Sequence, residues 1–198
     1  MSGVAGLDLR VCVNPPNLEK DERYREAEKF KQEIQPEKEV NYDWVWDYAC
    51  ETHNHIWERY KELDNKANDI IKYLGGGVGL FTVGTIANIS SQNVWLVVCA
   101  IPSFLVSLAS IFFAVLALQP NPVKLPPTVE SAYNYANDYK ETGKATFLGQ
   151  WHLVITGMDV AAKLKSDRVL VATWMFFATI GLLILPLIQA IAHFRSAL

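Results

Sequence analysis

The sequence predicts an all-α integral membrane protein with three transmembrane helices and long cytosolic helices continuous with the first and third. Three observations carry this. No charged residue occurs from Tyr73 to Val123, a run of 51, and none from Val169 to Phe194, a run of 26. Apolar residues recur at heptad spacing from Tyr42 to Leu74. An 18-residue apolar stretch without charge already suffices as a transmembrane candidate. With 20% charged residues overall and a net charge of −3, this uneven distribution argues against a purely soluble enzyme and against a strongly basic nucleic-acid-binding domain.

Residues 1–41 form an N-terminal cytosolic segment. Leu7, Leu9, Val11 and Val13 alternate with Asp8, Arg10 and Cys12, a period-2 strand closed by Asn14-Pro15-Pro16. One strand cannot stand alone, so it pairs with another chain or stays unstructured. A charge-rich helix follows over 18–35, with Asn17 as its N-cap and the i,i+4 pairs Glu19–Arg23 and Asp21–Arg25. It reads as a solvated surface helix, ended by Pro36. Residues 1–30 have no apolar core of signal-peptide length.

Residues 42–69 make a cytosolic heptad helix. Tyr42, Trp46, Ala49, His53, Ile56, Tyr60, Leu63, Ala67, Ile70 and Leu74 are spaced alternately by four and three. The seam must be buried. Its partner is either another helix of the same chain or the same helix of a neighbouring subunit. His53, Ile56, Tyr60, Leu63 and Ala67 are therefore the candidates for an oligomer seam.

Residues 70–118 make a two-helix transmembrane hairpin. The first span is Ile70–Asn88 and the second Val94–Leu118, around the polar turn Asn88-Ile89-Ser90-Ser91-Gln92-Asn93. Gly75, Gly77, Gly79 and Gly84 suggest close helix approach. Ala100, Ser103, Ser107, Ser110, Ala114 and Ala117 form a stripe of small residues. It serves tight packing or, with Thr82 and Thr85, lines a pore with hydroxyls. Thr173, Thr179 and Gln189 of the third span could join it.

Residues 119–168 return to the cytosol as two helices, 128–142 and 145–168. Gly143, Gly149 and Gly157 weaken this region. Lys72, Lys163, Lys165 and Arg168 flank the spans, where they meet inner headgroups or a ligand phosphate. The third span is residues 169–192, with Pro186 as a kink, and 193–198 are a short tail. Spans one and two return the chain to one side, so 17 of the 18 Lys and Arg share a compartment. The positive-inside rule then puts the N-terminus in the cytoplasm and the C-terminus outside.

Catalytic chemistry is hard to assemble. Cys50 and His53 on one helix supply two metal ligands and His55 points elsewhere, short of the roughly four that a structural zinc needs. No nucleophile–base set is evident, and no Asp, Glu, Lys or Arg lies at depth for a proton relay. The sequence therefore predicts no enzyme, no cofactor and no metal, a membrane enzyme using Cys50, His53 and His55 being the weakest reading.

Glu62-Leu63-Asp64-Asn65-Lys66-Ala67 runs into Ile70-Ile71, and Phe112-Phe113-Ala114-Val115-Leu116-Ala117-Leu118-Gln119-Pro120 closes the second span. Over residues 55–168 this arrangement resembles the small bacterial transmembrane effectors of nucleotide-signalled anti-phage defence, including Pycsar, SLATT-domain and Hailong-type effectors. The third span departs from their simplest two-span version. The resemblance implies a bacterial inner-membrane protein, idle until a nucleotide second messenger or a signalling nucleotidyltransferase or cyclase changes its state, whose oligomers then permeabilise the membrane. It carries over only Asp64, Lys66 and Ala67, in a structural role. The expected function is thus an oligomeric effector or ion channel gated from the cytosol, acting by depolarisation. The alternative is a non-conducting anchor or scaffold that recruits a soluble partner.

Overall fold

The computed structural model describes residues 17–34, 42–78, 94–119 and 129–196. All their regular structure is helical. A 3-10 turn, Leu18–Lys20, leads into α1 (Glu22–Glu33); α2 is Tyr42–Tyr73 and runs into a π turn, Leu74–Val78; α3 is Val94–Leu118 and α4 is Val129–Ser196. Contacts divide the chain into two compact units. One combines Asp8–Glu62 with Pro120–Leu164, and the other combines Leu63–Gln119 with Lys165–Leu198. The strand expected at residues 7–13 lies outside the described residues, as does most of the first expected span, including Thr82 and Thr85.

In the first unit, α1 starts later than the sequence suggests. The Asn17 side chain makes no capping bond. The Asp21 carboxylate instead accepts from the backbone N–H of Arg23 and Tyr24, satisfying two donors that a helix start leaves open. The helix is also no solvated surface rod. Tyr24 and Ala27 are buried against Leu153, with Leu18 beside them. Arg23, expected to pair with Glu19, bonds Asp159 at 2.8 Å and lies 3.5 Å from Asp21.

The expected break between two helices near residue 143 is absent, and α4 is continuous from Val129 to Ser196. Two of the glycines read as helix weakeners have another use. A Cβ on Gly149 would stand 3.0 Å from the Cα of Lys31, and one on Gly157 would stand 3.4 Å from the Tyr24 ring. They let α1 lie close against α4 without interrupting it. Close packing recovers the helix propensity that glycine lacks.

The seam of α2 finds its partner within the chain. The Trp46 ring lies 5.3 Å from Phe147 and 5.6 Å from Trp151, and His53 meets Trp151 edge-on at 5.1 Å. Edge-on aromatic pairs at this separation add to the apolar burial.

In the second unit the seam continues as Leu63, Ala67, Ile70 and Leu74, all buried. The expected close approach through Gly75, Gly77, Gly79 and Gly84 falls partly outside the described residues, which in this stretch stop at Val78. Gly75, Gly76 and Gly77 are exposed, and a Cβ on any of them would meet nothing within 4 Å. They relax the helix into the π turn, a geometry that a run of low helix propensity permits.

On α3 the small-residue stripe is the packing face. Ser103, Ser107, Ser110, Ala114 and Ala117 are all buried, while Ile101, Leu105, Leu108, Phe112 and Val115 are exposed. α4 repeats the pattern: Ala172 and Thr179 are buried, and Leu170, Trp174, Phe177, Ile180, Ile184 and Ile188 are exposed. Among the described residues two helices are long and apolar enough to cross a membrane, within Ile101–Leu118 and Ala145–Ile184.

The glycine contacts lead to a prediction with opposite signs at two positions. Gly149→Ala places a methyl group against the Lys31 backbone and should destabilise by about 1–3 kcal/mol, seen as a lower melting temperature and faster tryptic cleavage within α1. Gly181→Ala, with nothing within 4 Å of its Cβ, should leave the melting temperature level or raise it.

Candidate functional site: a buried cationic cluster

Three helices of the second unit deliver charged or polar groups to one place. α4 supplies Lys165 and Arg168, three residues apart and therefore on one face. They are 1% and 2% exposed. α2 supplies Asp64, whose carboxylate forms an ion pair with Lys165. α3 supplies the backbone carbonyl of Leu116, which accepts from Arg168 Nη1 at 2.7 Å.

Each contact answers a physical demand. Burying an ammonium or guanidinium is costly unless it is paired and hydrogen-bonded. Leu116 lies in the last turn of α3, where carbonyls have no helical donor and the helix dipole is negative. A guanidinium there satisfies an open acceptor and meets favourable charge together. Asp64 is about one-third exposed, at 34%, so the acidic partner keeps access to solvent that the basic partner lacks.

A little further along α4, Ser110 Oγ donates to the carbonyl of Ala172 at 2.7 Å. With the Arg168–Leu116 bond, this sets α3 and α4 antiparallel. The Tyr73 ring lies 6.5 Å from Phe176, so α2 meets α4 above the charged cluster as well as at it.

The other sequence-derived candidates fall in different places. Lys72 is exposed and lies 3.7 Å from Asp69; Lys163 is exposed. Lys165 and Arg168, expected with them at the headgroup level, are instead buried against protein. The hydroxyls of the α3 stripe, considered as a pore lining, are buried within this chain. Ser107 Oγ donates to the Phe104 carbonyl at 2.7 Å, whereas Ser103 Oγ has no partner. Of the seam candidates, His53 packs on Trp151, Leu63 and Ala67 are buried, and Ile56 and Tyr60 are half-buried. Among the described residues no group of three or more His, Cys, Asp or Glu is placed to hold a metal.

Sequence reasoning missed the convergence of Asp64, Lys165 and Leu116. The available signal was the i,i+3 pair Lys165/Arg168 directly before the 26-residue chargeless run, where a cation needs an acceptor at hand. It also missed Asp159. In the first unit this carboxylate bonds Arg23 at 2.8 Å and lies 3.8 Å from Arg59, joining α1, α2 and α4. Nothing in their spacing announces that triad.

No known protein family, curated protein or solved structure matches the chain. The site therefore has to be read from its own chemistry. It contains no nucleophile paired with a base. It can hold two buried cations in a fixed place and tie three helices together through them. Removing a carboxylate from a buried cation is more damaging than removing both charges. Asp64→Asn should accordingly destabilise the purified protein by somewhat less than the roughly 3–5 kcal/mol typical of a fully buried pair, because Asp64 is partly exposed. Lys165→Met should cost less, and Asp64→Asn with Lys165→Met less than the sum of the two. A thermal-melt double-mutant cycle checks this, and strict additivity would show that the pair does not couple.

Proposed function

We propose that this chain is an integral membrane effector, gated from the cytosolic side, whose membrane helices are held in a resting arrangement by the Asp64–Lys165–Arg168 cluster. One observation carries the reading: α3 and the second half of α4 bury Ser103, Ser107, Ser110, Thr179, Ala114, Ala117 and Ala172 with only a few large apolar residues such as Phe113 and Leu116, and expose most of their Leu, Ile, Phe and Trp. A water-soluble helix pair arranges these residues the other way round. In lipid the exposed apolar face costs nothing, and small residues at the interface allow helices to approach closely.

The cluster supplies the gate. Asp64 is the solvent-accessible member of a pair whose other member is buried, so an event at its exposed side, such as a docking partner or a proton, changes what holds Lys165. α2 carries that change directly toward the π turn, and Arg168 carries it to the end of α3. Two discrete arrangements of such a linkage are what a switch requires. Three spans are too few to enclose a conduit, so a conducting form needs several copies. The placement of 17 of the 18 Lys and Arg supports an N-terminus in the cytoplasm, and the resemblance to bacterial effectors supports the inner membrane as its location. The resemblance to anti-phage effectors supports a nucleotide second messenger, or the enzyme that makes it, as the input. Lys72 and Lys163 then remain as exposed cations for anionic headgroups.

A second reading has its own support. Burial of Ser103, Ser107 and Ser110 inside one chain withdraws the hydroxyls that would line a channel, and favours a non-conducting anchor that recruits a soluble partner.

Inducible expression in bacteria with a voltage-sensitive dye separates the two. The effector reading expects depolarisation and growth arrest, and stronger depolarisation at equal protein level for Asp64→Asn. An unchanged potential with a stably co-purifying soluble partner would establish the anchor instead.

A further inference from the structure

The three serines of the α3 stripe are not equivalent. Ser107 and Ser110 each donate to a backbone carbonyl. Ser103 is 1% exposed and its hydroxyl has no partner. A buried hydroxyl without a hydrogen bond is rare, and in surroundings of low polarity it is costly.

The helix register identifies what lies across from it. Arg168 bonds to Leu116 and Ser110 bonds to Ala172, so residues descend along α3 as they ascend along α4. Seven residues, two helical turns, separate Ser110 from Ser103, and the same step from Ala172 reaches Thr179. Thr179 is fully buried, and its hydroxyl donates to the Met175 carbonyl at 2.9 Å. Its oxygen therefore keeps lone pairs free to accept. Two buried hydroxyls share one level between α3 and α4 without bonding to each other. They lie about 20 Å along the helix from Leu116, at roughly 1.5 Å per residue.

We propose that Ser103 and Thr179 form a binding site for a single water molecule between the two membrane helices. Water is the ligand that this chemistry fits. It accepts from the Ser103 hydroxyl and donates to the Thr179 oxygen, and bridging waters serve polar groups that are too far apart to bond directly. The site singles out Ser103 among the hydroxyls of the stripe as the first hydrated point of any path through this helix pair. It rests on the reading that α3 and α4 lie in a membrane.

Water-to-protein magnetisation transfer in solid-state NMR tests it, because it detects an enclosed water without needing a reagent to enter. The full chain is reconstituted in lipid vesicles and compared at Ser103 and at Leu105, which is on the exposed apolar face. Ser103 should show a water cross-peak that is lost in Ser103→Ala, and Leu105 should show none. No water cross-peak at either position overturns the water site while leaving the membrane reading intact. Equally strong cross-peaks at both remove the membrane reading and the proposal with it. As an independent readout, Ser103→Ala should leave the melting temperature level or lower it. A rise would show that the hydroxyl is buried dry, and would also overturn the site.

Discussion

The hydrogen bond from Arg168 to the Leu116 carbonyl holds the second unit together at its most demanding point. A long apolar stretch begins immediately after Arg168 on α4, and another ends two residues after Leu116 on α3. Charge must stop there, and α3 must end there with its last carbonyls unsatisfied. One guanidinium answers both demands. Lys165, one turn earlier, repeats the device with the Asp64 carboxylate and brings in α2. Packing above this level can then use small residues, since the polar groups that would otherwise disturb it have been met below.

Where polarity was carried by composition, the sequence was readable. Most of the second half of the first chargeless run and the whole of the second fall on the two apolar helices, and the small-residue stripe on α3 is the face that packs. The heptad spacing of α2 likewise identifies its buried side, from Trp46 through Leu74. These features follow from local periodicity, which any buried face must obey whatever covers it. The partner of a face is a different matter. A seam of Trp46, His53 and Leu63 looks the same whether it meets another helix of its own chain or a neighbouring copy. Only the tertiary arrangement brings Phe147 and Trp151 to it.

Glycine and charge were the less legible features for a related reason. Gly149 and Gly157 read as weak points because their intrinsic propensity is poor, and their value lies in what approaches them. α1 supplies Lys31 and Tyr24 at those positions, from more than a hundred residues away in sequence. Gly75, Gly76 and Gly77 look equally suited to a close contact, yet among the described residues nothing approaches them and they form a π turn instead. Lys165 and Arg168 followed the usual expectation for cations beside a membrane span. Burial reversed it, because acceptors within the chain, at Asp64 and Leu116, meet both cations.

The two readings of the α3 stripe, packing face and polar path, do not exclude each other once its residues are taken singly. Ala114 and Ala117 can only pack. Ser107 and Ser110 bond to backbone carbonyls, so their polarity is already used in holding helices. Ser103 alone combines complete burial with an unused hydroxyl, and the register sets it level with Thr179. Small residues close the helix pair along most of this face, and one polar level lies among them. The cluster at Asp64, Lys165 and Arg168 ties those same two helices at their charged end. The Arg168–Leu116 and Ser110–Ala172 bonds fix the register that sets Ser103 level with Thr179, so the charged end and the polar level belong to one helix pair.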